Sequence, residues 1–258
     1  THCQRSRERR GTRHGTRRTR PLVDDTALGD HVMNDSFGRG FLIFALMVAG
    51  ALAMSGVLAM LEAVAAPEVP AIWWAARSTG LLAYVALWLS TLFGVLLAAR
   101  SGKGGLLDRA VLLELHNRWS VAAVIATALH VLLVVGDPHS EVGLLAALVP
   151  LAAETLTAPI AVGVLSSWGL LMIAATTAVH RRMARWTWRA VHAGAFGTYV
   201  LALVHGWTAG TSTASPLVRA MYVGTTVVLL GALAQRLRLS ANASSIATRS
   251  AEPLRRQA

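Results

Sequence analysis

Residues 115–138 read "LHNRWSVAAVIATALHVLLVVGDP", and residues 188–211 read "WRAVHAGAFGTYVLALVHGWTAGT". Both stretches are apolar enough to lie in a hydrocarbon interior, yet each carries two imidazoles. His116 and His130 sit in the first, His192 and His205 in the second. A polar side chain inside a bilayer is costly unless it is partnered or used. How these four are explained decides how the rest of the chain is understood.

Composition supplies the membrane reading. The chain has 258 residues, is 54% hydrophobic and 14% charged, and has a mean hydropathy of +0.52. A soluble domain of this length needs more polar surface. The net charge of +11 is unevenly spread, with eight Arg and one Glu in residues 1–20. Such a block cannot build a core, so residues 1–39 are expected to form a basic, disordered cytoplasmic tail. Arginine beside a membrane segment reports orientation, and no nucleic-acid partner is expected. The pair "RR" at 17–18 lacks the apolar run that a twin-arginine export signal requires directly after it. Cys3 is the single cysteine, so neither an intramolecular disulfide nor a cysteine-ligated cluster can form.

Crossing a hydrocarbon core of roughly 30 Å takes about 20 helical residues. Six apolar runs meet that length, near 41–62, 78–98, 110–135, 158–179, 188–209 and 217–235. The expectation is an all-α, six-helix integral membrane bundle over residues 40–238, since lipid forces each span to satisfy its own backbone. Arg100, Lys103 and Arg109 follow the second run, Arg181, Arg182, Arg185 and Arg189 the fourth, and Arg236 and Arg238 the sixth. The intervening loops are acidic or uncharged. The alternation puts both termini in the cytoplasm of a cell whose plasma (inner) membrane holds the chain, with lipid as its surroundings. Residues 143–154, "GLLAALVPLAAE", are too short to span and read as an interfacial or re-entrant segment. The Ser-, Ala- and Arg-rich stretch 239–258 is expected to be a second disordered tail.

In this topology His116 and His192 lie near the cytoplasmic side, and His130 and His205 near the outer side. Fourteen helical steps bring His130 to within roughly 40° of the face of His116, about 21 Å further along. The thirteen steps from His192 to His205 leave the second ring roughly 140° away from the first, so this helix needs a bend or altered winding. Gly194 and Gly197 are the places for it. An axial separation of about 21 Å rules out one metal held by all four. One neutral imidazole from each of two helices at a common depth suits the two axial positions of a haem iron. Four unrelated histidines bonded to nearby carbonyls are the plain alternative.

The H-x13-H and H-x12-H spacings on two apolar helices resemble the ferric reductase-like transmembrane domain. "RSTGLLAYVALWLSTLFGVLLA" at 77–98 adds to the likeness, which covers about residues 70–212 and is closest to short bacterial members. The resemblance implies two b-type haems between the third and fifth helices. His116 and His192 would be axial iron ligands of the inner haem, and His130 and His205 of the outer. It also implies an arginine beside the outer haem, at the place of Arg77. Unlike longer relatives, this sequence continues into no flavin or nicotinamide domain after the sixth run. The electron donor is then a separate flavoprotein or reductase, or quinol, with an external reductase as a possible acceptor-side partner.

Arg118, two residues past His116, is placed to reach an inner propionate, as Arg77 is for an outer one, although both could simply snorkel. Trp73, Trp74, Trp119, Trp186, Trp188 and Trp207 lie near helix ends and read as an aromatic belt. His139 and His180 are expected to be exposed, and His2, His14 and His31 to be inert. No nucleophile, carboxylate pair or phosphate loop marks a covalent mechanism, since "SGKGG" at 101–105 lacks P-loop spacing. The function expected is that of a transmembrane b-type cytochrome, an oxidoreductase component carrying electrons across the bilayer. The alternatives are a haem-free transporter of protons or a transition metal, and a structural membrane partner without a cofactor.

Overall fold

The computed structural model describes residues 41–46, 49, 71–99 and 108–255, with side chains through residue 242. The expected basic tail, most of the first apolar run, and His2, His14 and His31 lie outside the described residues. Residues 41–46 are helical. Seven α-helices then follow among the described residues: α1 Ala71–Ala99, α2 Arg109–Gly136, α3 Leu144–Leu148, α4 Thr157–Ala178, α5 Arg185–Ala193, α6 Ala195–Ala209 and α7 Pro216–Arg255. Short 3-10 turns at His180–Arg182 and Thr211–Ala214 complete the order. Four helices, α1, α2, α4 and α7 (as far as Asn242), are long and apolar enough to cross a membrane.

The two faces of α2 show why it needs an apolar medium. Leu112, Leu115, Trp119, Ala123 and Ala126 recur at helical spacing and are buried. On the opposite side Val121, Ile125 and Leu132 are 60%, 62% and 69% exposed. A soluble amphipathic helix would turn polar residues outward there. An apolar outer stripe of this length in water would be a large hydrophobic patch, whereas in lipid it costs nothing.

The buried stripe packs on α1. Ala86, Leu87, Leu89 and Phe93 of α1 meet Val111, Leu112, Leu115, Trp119 and Ala123 of α2 in one core. A second core joins α1, α6 and α7 through Tyr84, Val95, Tyr199, Val218, Tyr222 and Leu229. Its polar centre is closed on itself: the Tyr84 hydroxyl is 2.7 Å from Thr225 Oγ1 and 3.0 Å from the Tyr199 hydroxyl. Trp88 Nε1 donates to the Thr225 carbonyl at 2.9 Å. Self-satisfied hydroxyl clusters of this kind join helices in an apolar surround.

Three sequence expectations are corrected, and the bend expected at Gly194 is present. Helix α1 starts at Ala71 rather than 78, which places Arg77 inside a helix instead of ahead of it. At 29 residues, or about 43 Å, α1 exceeds the hydrocarbon thickness, so a charge near its first turns need not enter the apolar core. The fifth apolar run is interrupted at Gly194, where the amide of Gly194 bonds the Val191 carbonyl, a tight four-residue turn between α5 and α6. This is the change of winding that the thirteen-residue spacing demands. Helix α7 continues to Arg255, so residues 239–255 are helical where a disordered tail is expected. Composition misleads there, because the Ala, Leu, Arg and Glu of this stretch are strong helix formers and no glycine follows Gly231. Trp119 is fully buried between α1 and α2 and belongs to no interfacial belt.

Residues 143–154 hold only the five-residue α3, too short to span, anchored where Trp168 Nε1 donates to the Leu148 carbonyl at 2.9 Å. Three non-glycine residues with left-handed backbone, Glu141, Leu151 and Leu156 (φ 54°, 68° and 45°), lie in the segment from α2 to α4. Strain of this sort persists only where the surroundings hold it.

Candidate functional site

The four histidines come together in pairs. The ring centroids of His116 and His192 are 5.9 Å apart, and those of His130 and His205 are 6.4 Å apart. Helices α2 and α5–α6 therefore run in the same direction, with one pair at each of two depths, as the sequence spacing requires.

Three of the four rings are anchored in the same way. His130 Nδ1 lies 2.8 Å from the carbonyl oxygen of Ala76, His116 Nδ1 2.8 Å from that of Ser90, and His205 Nδ1 2.9 Å from that of Pro159. In each case the residue four further along the acceptor helix is glycine: Gly80, Gly94 and Gly163. A Cβ at Gly80 would stand 2.9 Å from His130 Cε1, at Gly94 3.2 Å from His116 Cε1, and at Gly163 2.5 Å from His205 Nδ1. The physical reason is local. A helical carbonyl points toward the residue one turn ahead, and a neighbouring ring reaches it only if that residue has no side chain in the way. With Nδ1–H donated to a carbonyl, Nε2 keeps its lone pair, which is the tautomer that binds a metal. Ser90 adds a polar cluster beside His116, with its hydroxyl 2.7 Å from Ser120 Oγ.

The centroid separations can be set against two ways of pairing imidazoles. A direct N–H···N bond of about 2.9 Å plus about 1.2 Å from each nitrogen to its ring centre would give roughly 5.3 Å. A metal between two nitrogens at about 2.0 Å each would give roughly 6.4 Å. The His130–His205 pair, at 6.4 Å, matches the second, whereas His116–His192, at 5.9 Å, falls midway, and both separations also suit edge-on ring contact. Among the described residues no three His, Cys, Asp or Glu side chains group to hold a metal ion. Two protein ligands are too few for a structural zinc site. They are enough for an iron whose equatorial positions are filled by a porphyrin.

The His130–His205 pair borders a cavity of ≈ 420 Å³ that Arg77, Tyr84, Asp137 and Tyr222 also line. That volume is in the range of cofactor pockets. Arg77 reaches Ser212 Oγ through Nε at 3.0 Å and Nη2 at 2.7 Å, and its guanidinium lies 5.0 Å from the Trp74 ring centre. Arg77 thus lines the same cavity as His130 and His205. Arg118 is engaged differently from the simple expectation: its Nε donates to Glu114 Oε1 at 2.6 Å, one turn back on α2. Glu N-terminal to Arg at this spacing is the favourable orientation. His139 is exposed and bonds Asp137 Oδ1 at 3.2 Å, and His180 is also exposed.

Sequence reasoning missed Gly80, Gly94 and Gly163. A signal was present for two of them: Gly80 and Gly94 are fourteen residues apart, the spacing of His116 and His130. On antiparallel neighbours, equal spacings set the same pairs face to face.

Fold and site together define an all-helical protein with membrane-length apolar helices and two facing histidine pairs. The chain belongs to the family described as Domain of unknown function (DUF8596), whose model matches residues 71–212. That span begins with α1 and contains all four histidines, Arg77 and its partner Ser212. Neither a curated protein nor a solved structure matches the chain.

Proposed function

We propose that this protein is a transmembrane b-type cytochrome, a ferric reductase-like electron-transfer subunit with six membrane spans and two haems. The observation that carries the proposal is the pair of histidine pairs, facing each other at two levels along the helices. In this reading His116 and His192 hold the inner haem, and His130 and His205 the outer. Haem held by these four imidazoles would supply outer-sphere, one-electron chemistry.

The chain's own residues do the rest. Ala76, Ser90 and Pro159 orient three of the ligand rings through their carbonyls, and the glycines one turn on admit those rings. Arg77, fixed by Ser212, presents positive charge to the acidic edge of the outer cofactor. The apolar helix faces keep water from the path between the two depths. Electrons enter from a cytoplasmic flavoprotein or from quinol and leave to an external acceptor, with both termini in the cytoplasm of the plasma (inner) membrane.

Single alanine variants test the pairing. His116→Ala and His192→Ala should remove one spectral component, and His130→Ala and His205→Ala the other. If His116→Ala and His130→Ala removed the same component, the assignment would be wrong.

A further inference from the structure

Helix α4 runs out into a cluster of cations. Arg181 and Arg182 lie in the 3-10 turn that follows it, and Arg185 and Arg189 stand one turn apart on α5. All four are exposed, and none forms an ion pair among the described residues. The surrounding sequence offers them no counter-charge either, since no Asp or Glu lies between Glu154 and Glu252. Four guanidiniums spread over nine residues repel one another until anions from outside the chain join them.

Two features say which anion fits. The first is depth. At 22 residues, or about 33 Å, α4 has the length of one hydrocarbon crossing, so the turn beyond it falls at the level of lipid headgroups. The second is what flanks the charge. Trp168, Leu171, Met172 and Val179 recur at helical spacing on α4 and are exposed, an apolar stripe that leads to Arg181. Within the cluster itself Trp186 is 75% exposed. An indole in the open beside cations, above an apolar stripe, matches a molecule with acyl chains below and a negative headgroup above. A soluble acidic partner would meet the arginines and leave the stripe uncovered.

We propose that the α4–α5 corner is a binding site for anionic phospholipid, with Arg181, Arg182, Arg185 and Arg189 engaging the phosphate and Trp186 lying against the headgroup boundary. Guanidinium suits this task because its planar fork bonds two phosphate oxygens at once. The acyl chains lie along the exposed stripe of α4. Long-range steering of a soluble donor draws on the net field of these arginines and needs none of these contacts. The site stands whether or not the histidine pairs hold haem.

The test uses the full-length protein in phosphatidylcholine vesicles that carry a small share of brominated phosphatidylglycerol or, separately, brominated phosphatidylcholine. Bromine quenches tryptophan on contact, and the difference between wild type and Trp186→Phe isolates the emission of Trp186. The expected result is quenching of that component at about fivefold lower content of the anionic lipid, the worth of one arginine beside an anionic surface. Raising the salt should narrow the difference. Arg185→Gln combined with Arg189→Gln should abolish it. Arg219→Gln is the control and should leave it intact, because the Arg219 guanidinium bonds the Thr213 and Ala214 carbonyls away from this corner. Equal quenching by the two lipids in the wild type would overturn the proposal, and this comparison decides even if the double variant fails to insert. A preference that survives in the double variant, or is lost in Arg219→Gln, would also overturn it. Equal quenching together with shielding of Trp186 from aqueous iodide by an acidic flavoprotein would give the face to a protein partner instead.

Discussion

Replacing Gly163 by alanine separates the role of the glycine seats from ordinary packing. The new Cβ would stand 2.5 Å from His205 Nδ1 and 2.6 Å from Cε1. To recover ordinary contact the ring must withdraw by about 0.9 Å. Withdrawal along the hydrogen bond would lengthen the 2.9 Å contact with the Pro159 carbonyl to about 3.8 Å, beyond hydrogen-bond range. Losing one net hydrogen bond costs about 0.5–1.5 kcal/mol. Alanine in a helix interior returns about 1 kcal/mol relative to glycine. These two effects nearly cancel, so thermal stability should change little. Cofactor affinity should not be spared, because an unoriented imidazole is about 10- to 100-fold weaker as a metal ligand. The assay is therefore outer-haem retention during dilution or competition with an apo-haem acceptor, with the melting temperature measured alongside. Gly224→Ala is the control, since a Cβ there meets nothing within 4 Å. Outer-haem retention in Gly163→Ala equal to that of the wild type would refute the reasoning, as would an equal loss in Gly224→Ala.

Three further expectations follow from the same geometry. Tyr84→Phe removes the bonds to Thr225 and Tyr199 at the junction of α1, α6 and α7. It should cost about 0.6–1.7 kcal/mol, the range of hydrogen bonds between membrane helices, read as a lower unfolding midpoint in detergent; no change would mean the cluster does not join the helices. A reporter fused after Arg238 should remain cytoplasmic, while reporters at Ser140 and Ser212 should be external, and an external signal after Arg238 would reverse the electron path. Neutralising Arg181, Arg182 and Arg185 together, with haem content unchanged, should slow reduction by an acidic flavoprotein and remove its salt dependence. An unchanged rate and salt profile would leave these arginines only their role in orientation.

The pairing of histidines by depth was legible in the sequence because helical rise converts residue spacing directly into distance. The interruption at Gly194 was legible for the same reason, since thirteen steps do not return to one face and a glycine lay beside His192. The seats were harder to see. Gly80 and Gly163 acquire meaning only once their helices are known to run antiparallel beside α2 and α6, and periodicity within a single helix carries no such information. Arg118 was readable as a cation near the inner depth, but its bond to Glu114 competes with that role, and the i, i+4 pairing was there to be found. The two helix-boundary errors share a cause. Hydropathy reports which residues suit lipid, and both Ala71–Arg77 and residues 239–255 are helix outside that criterion.

The central claim concerns what lies between the paired rings, and the most direct measurement is the haem content of the purified chain. Detergent-solubilised protein, inserted and monodisperse, should be red when reduced, and the pyridine haemochrome assay should return two b-type haems per chain. Colourless protein of the same integrity would contradict the account, because the centroid separations of 5.9 and 6.4 Å would then bracket no metal.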